Sequence, residues 1–105
     1  MTTFDQREEG FEKKFAHDEE LKFKAEARRN RLLGSWAAEK LGISGDAAMA
    51  YAKDVVAAEF EEAGAVVRKL LRDFEAKGVA VNEATLRTKM SELTAIAVAE
   101  VKAGK

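Results

Sequence analysis

The sequence predicts an all-α protein, a four-helix antiparallel bundle with a mobile N-terminal helical segment. Three observations support this. Proline is absent from all 105 residues while Ala, Glu, Lys and Leu are abundant, so nothing forbids helix and most residues favour it. Gly42, Gly64 and Gly78 punctuate the chain at intervals suited to helix ends. Between these glycines, apolar residues recur at spacings of three and four, the period of a helix with one buried face.

The first element begins near Phe4, because Thr3 and Gln6 have the spacing of a capping box and Asp5 falls in the positive first turn. Phe4, Phe11 and Phe15 lie within about 40° of one another on a helix, a narrow aromatic line on a surface otherwise charged. About half of the first 31 residues are charged, equally of each sign, so this stretch does not form a core of its own. Glu9 with Lys13 and Glu20 with Lys24 are acid-to-base pairs that support helix, whereas Gly10 weakens it by about 1 kcal/mol relative to alanine. A short helix of this kind is marginal in water. Residues 1–17 are therefore expected to be mobile in isolation. Asp18 offers a second N-cap, which puts the joint between this segment and the bundle of residues 18–105 at His17 and Asp18.

From Asp18 the pattern becomes that of a core helix: Leu21, Ala25, Leu32 and Trp36, widened by Leu33 and Ala37, up to Gly42. Ser44 caps a second helix of about residues 45–63, with Asp46 in its first turn and Ala48, Tyr51, Val55 and Ala58 on one side. Gly64 ends it. Val67, Leu70, Leu71 and Phe74 mark a short third helix closed by Gly78. Asn82 caps the last, where Leu86, Met90, Leu93 and Ala97 repeat at four, three and four. The connections are short, as antiparallel neighbours in a bundle require.

Composition excludes several functions. A formal net charge of -1 argues against a nucleic-acid binder or a membrane-surface patch, and the absence of cysteine rules out disulfides and thiolate metal sites. With no apolar N-terminal core and no apolar run near the roughly 20 residues of a membrane span, neither a signal peptide nor membrane insertion is expected. The lone His17 has no second imidazole or motif partner, so no metal site and no catalytic constellation is expected. It is either a solvated residue at the joint or a pH-responsive hinge together with Asp18.

The basic cluster Lys22, Lys24, Arg28, Arg29 and Arg31 is open to three readings: a solvated helix face, a contact with a partner protein, or an anion or nucleotide site. The Phe4, Phe11 and Phe15 line either folds back on its own bundle or is buried in a partner. In the second case each ring contributes roughly 1.5–3 kcal/mol before ordering costs.

The runs Phe4 to Glu8, Phe11 to Leu21, Ala27 to Asn30 and Leu32 to Ala38, continuing through Ser44 to Ala47, Tyr51 to Lys53 and Phe60 to Gly64, closely resemble the zeta subunit. That family is the small inhibitor of the F-type ATP synthase in alphaproteobacteria. The resemblance implies a four-helix, non-enzymatic protein whose N-terminal segment wedges between alpha and beta subunits of the catalytic head and blocks rotation in the hydrolytic direction. It carries the inhibitory role onto Phe4, Arg7, Glu8, Phe11, Lys14 and Phe15, with the bundle as an anchor. The partners implied are the alpha and beta subunits and the central stalk, in the cytoplasm and peripheral to the inner membrane. No cofactor is required. The alternative functions are a weak adenine-nucleotide sensor, using the basic cluster with Trp36 or Tyr51, and a general helical adaptor.

Overall fold

A computed structural model describes the backbone of residues 2–62 and 64–104 and the side chains of residues 19–62 and 64–104. Four helices follow in order: α1 (Thr2–Lys40), α2 (Gly45–Ala58), α3 (Ala65–Ala76) and α4 (Glu83–Lys102). α1 packs against α2 and α4, and α3 closes the square by packing against the same two, so α1 and α3 lie on a diagonal. This is the expected all-α four-helix bundle.

Helix ends follow local chemistry. At the end of α1, Gly42 adopts φ +75° and the chain closes with Ile43 N–H donating to Ala38 O at 2.8 Å and Gly42 N–H to Glu39 O at 3.1 Å. The same pair of bonds ends α3, from Val79 to Phe74 and from Gly78 to Glu75, with Gly78 at φ +70°. Only glycine takes that backbone without strain, and the residue after it returns an apolar side chain to the core, as Ile43 and Val79 both do. Asn82 caps α4 as expected, its Oδ1 accepting from Thr85 N–H at 2.8 Å. Ser44 occupies the N-cap of α2 without a side-chain bond to the helix.

Two boundaries differ from the sequence expectation. Asp18 does not start a new helix, because α1 is continuous across His17 and Asp18 for 39 residues, with no proline or glycine near the expected joint to interrupt it. α2 stops at Ala58 rather than running to Ala63. Beyond it Phe60 N–H bonds Ala57 O and Glu61 N–H bonds Ala58 O, both at 3.1 Å, a tightened turn in which Glu59 is held back toward α1. Gly64 accordingly serves as the N-cap of α3.

The core comprises Leu33, Ala37 and Leu41 of α1 and its C-cap, Val55 and Ala58 of α2, Val66, Val67, Leu70 and Phe74 of α3, and Leu86 of α4. Across the diagonal the Trp36 ring meets the Phe74 ring edge to face, 5.8 Å between centroids and 82° between planes, a favoured aromatic geometry. Among neighbours the closest fit is α1 on α2. A Cβ added to Gly34 would lie 2.6 Å from Ala52 Cα, so the two backbones meet where neither carries more than a methyl group.

Candidate functional site

The side chains of Phe4, Arg7, Glu8, Phe11, Lys14, Phe15, His17 and Asp18 lie outside the described residues; their backbone belongs to α1. What the structure places is the part of α1 that follows, and with it the whole basic cluster.

That cluster is not one patch. Lys24, Arg28 and Arg31 share a cleft with Leu21, Phe23 and Val101, while Lys22 and Arg29 line a different one with Glu26, Thr94 and Lys102. The cause is helical spacing, since residues 24, 28 and 31 stack on one side and 22 and 29 on another. Several of the charges are already engaged. Lys24 Nζ lies 3.2 Å from Glu20 Oε1, Arg28 Nη1 3.8 Å from Glu100 Oε2, and Arg29 Nη2 3.3 Å from Glu59 Oε1. Arg28 and Arg29 thus tie α1 to α4 and α2 respectively.

The Arg29 contact belongs to a polar network that sequence reasoning missed. Asn30 is fully buried; its Oδ1 accepts from Arg29 Nε at 3.1 Å and its Nδ2 donates to Glu59 Oε2. No buried side-chain nitrogen or oxygen among the described residues is left without a partner, as a stable interior demands. The signal for Asn30 was in the sequence. It lies three and seven residues before Leu33 and Ala37, a polar side chain on the buried stripe.

The two aromatic rings considered as nucleotide platforms are held by internal contacts. Trp36, half-buried, has Lys40 Nζ at 5.3 Å and Lys89 Nζ at 5.8 Å from its ring, beside its contact with Phe74. Tyr51 donates to Asp73 Oδ2 at 2.7 Å, and Lys69 Nζ lies 3.1 Å from the same oxygen and 4.9 Å from the Tyr51 ring. Burial, the bond to Asp73 and the charges of Asp73 and Asp54 hold the Tyr51 hydroxyl well above the ordinary tyrosine range. These contacts join α2 to α3.

A second missed feature is an exposed apolar face on the outer side of α1 and α2. Phe23 and Phe60 are paired there, 6.2 Å between ring centroids, and both are more than half exposed. Phe23 does not continue the line of Phe4, Phe11 and Phe15; it sits about 100° from Phe4 around the helix. Among the described residues no group of His, Cys, Asp or Glu side chains is arranged to hold a metal ion, and no helix is long and apolar enough to cross a membrane.

Comparison with known proteins bears on residues 1–100. A solved solution NMR structure of a protein is 50% identical to this chain, covering 81% of it and 99% of its own length, with a TM-score of 0.70. Among curated protein sequences none matches. The sequence model of ATPase inhibitor subunit zeta matches residues 1–100, so both the N-terminal stretch and the bundle fall within it. A match of that extent establishes membership: the chain belongs to the ATPase inhibitor subunit zeta family.

Proposed function

We propose that this protein inhibits ATP hydrolysis by the F-type ATP synthase, with residues 1–17 entering between alpha and beta subunits of the catalytic head and the bundle holding the outside of it. The single observation that carries the proposal is the family match over residues 1–100, which includes the aromatic line as well as the bundle. Insertion of Phe4, Phe11 and Phe15, with Arg7, Glu8 and Lys14 at the edges, opposes rotation in the hydrolytic direction and against the central stalk. The protein performs no chemistry itself and needs no cofactor. It works in the cytoplasm, at the inner membrane only through the synthase.

The continuity of α1 supports the division of labour. The same helix carries the Phe4, Phe11 and Phe15 positions and forms a wall of the bundle, so whatever seats the bundle also aims the N-terminal end. Attachment to the docked bundle then raises the effective concentration of that end to about the millimolar range, which offsets the weak helix formation of a charge-rich stretch bearing Gly10. His17 and Asp18 mark the passage from one function to the other.

The test is ATP hydrolysis by the cognate synthase head, stripped of its native inhibitor, with the full chain and with a version lacking residues 1–17. Inhibition by the first and none by the second is the expected result. Equal inhibition by both would move the working surface to residues 18–105, and inhibition by neither would overturn the proposal.

A further inference from the structure

Four large apolar side chains are conspicuously exposed among the described residues: Phe23, Met49, Phe60 and Ile96. Scattered exposed hydrophobics need no explanation, but three of these four share one face. Phe23 and Phe60 flank a cleft with Ala27 and Val56, and Met49 lines the adjoining cleft, which Val56 also borders. From Met49 to its end at Ala58, α2 gives this face a length of about 14 Å, room for between two and three turns of a second helix. Folding gains nothing from leaving Phe60 68% exposed. Yet the Arg29, Asn30 and Glu59 network fixes the residue immediately before it, which sets the ring beside Phe23. Aromatic anchors of this kind are the usual energetic centre of a protein interface.

The charges around the face select the occupant. Lys24, Arg28 and Arg29 all have carboxylate partners on this chain. Arg31 and Lys53, which line the Met49 cleft with Ser35, have none among the described residues. At the opposite end the cleft is bordered by Glu26 and by Glu59, whose charge Arg29 already offsets. The face is thus apolar along its middle, basic beside Met49 through Arg31 and Lys53, and beside Phe60 carries Glu26 and, among the described residues, no cation without a partner.

We infer that this outer α1–α2 face is the surface by which the bundle docks, and that it takes an amphipathic helix of the synthase head carrying acidic side chains at the end that meets Arg31 and Lys53. The apolar side of that helix lies over Phe23, Val56, Phe60 and Met49. Its polarity follows from Arg31 and Lys53, because reversal would take its carboxylates away from these cations and toward Glu26. The identity of the occupant rests on the inhibitory function proposed above; the apolar, polarised face does not.

The experiment measures the concentration of full-length protein giving half-maximal inhibition of hydrolysis by the stripped cognate head. Three variants are compared with the parent: Phe60→Ser, the double charge reversal Arg31→Glu with Lys53→Glu, and Ile96→Ser on α4 as a control. All of these positions are exposed, so the fold is not at stake. The expected result is a shift of about tenfold or more for the first two, as loss of an anchor or reversal of a facing charge gives, and none for Ile96→Ser. The shift of the charge-reversed protein shrinks as ionic strength rises. If the parent inhibits and the Phe60 and charge variants match it, the docking surface is overturned while the inhibitory function stands. If the parent does not inhibit, the inhibitory function fails and this occupant with it. Sedimentation of the free protein as a dimer that Phe60→Ser dissociates, with unchanged inhibition, would assign the face to a second copy of the chain instead.

Discussion

Gly34 of α1 and Ala52 of α2 meet at the tightest point of the fold, where a Cβ on Gly34 would stand 2.6 Å from Ala52 Cα, 3.1 Å from its methyl and 3.3 Å from Val55 Cβ. The clash is with backbone, so no rotamer change relieves it; one helix must move. Because Arg29 and Asn30 reach Glu59 across the same pair of helices, a displacement there also disturbs the polar network and the setting of Phe60.

Gly34→Ala should therefore destabilise the bundle. The overpacking costs about 1–3 kcal/mol, more where backbone is displaced, against the roughly 1 kcal/mol that alanine gains over glycine in a helix. Thermal unfolding should show a midpoint lowered by several degrees, since 1 kcal/mol moves it by about 4–8 °C in a domain of this size. A raised midpoint would mean that the helices part without cost.

Asn30 and Glu59 should be energetically coupled. Removing Asn30 leaves a Glu59 oxygen without its buried donor, and removing Glu59 leaves the Asn30 amide unsatisfied at full burial. In a double-mutant cycle with Asn30→Ala and Glu59→Ala, urea unfolding should give a coupling of about 0.5–3 kcal/mol. Additive effects would show that the network contributes nothing to the α1–α2 contact.

Tyr51→Phe should weaken the α2–α3 contact by about 1.5–3 kcal/mol at neutral pH, at the lower end because the site is only half-buried. It should also change the alkaline limb of the stability profile. The folded protein holds the Tyr51 proton to a higher pH than the unfolded chain, which releases it near pH 10. Above that pH the unfolded state binds fewer protons than the native state, so stability falls as pH rises. The contribution is complete below about pH 10 and is lost progressively above it. Chemical unfolding between neutral pH and about pH 11 should show a shallower fall for the Phe variant than for the parent.

Residues 1–17 as a free peptide should inhibit hydrolysis poorly where the full chain inhibits well. The peptide must be ordered on binding and lacks the tether, so it forgoes the avidity of about a hundredfold or more that a docked bundle supplies. Dose–response curves for peptide and full chain on one preparation of the head make the comparison. Comparable potency would show that the bundle is not an anchor.

Much of the fold was legible in the sequence. The Asn82 cap, the glycine-closed ends at Gly42 and Gly78, and the buried stripes through Leu33, Ala37, Val55, Leu70, Phe74 and Leu86 all follow from chemistry within a turn or two of each residue. Family membership was legible too, because a long run of residue identities needs no coordinates. What sequence could not settle depended on residues far apart in the chain. α2 ends at Ala58, short of the glycine, where Glu59 is held by Arg29 and Asn30, about thirty positions earlier. Asn30 is polar by composition and buried because α2 arrives carrying its partner. Phe23 lies within about 20° of Gly34 around α1, so its side of the helix faces α2; it is exposed because α2 stops at Ala58 and only Phe60, in the turn beyond, reaches it. Periodicity tells which face of a helix is apolar; only packing decides which neighbour covers it, and which face is left for another molecule.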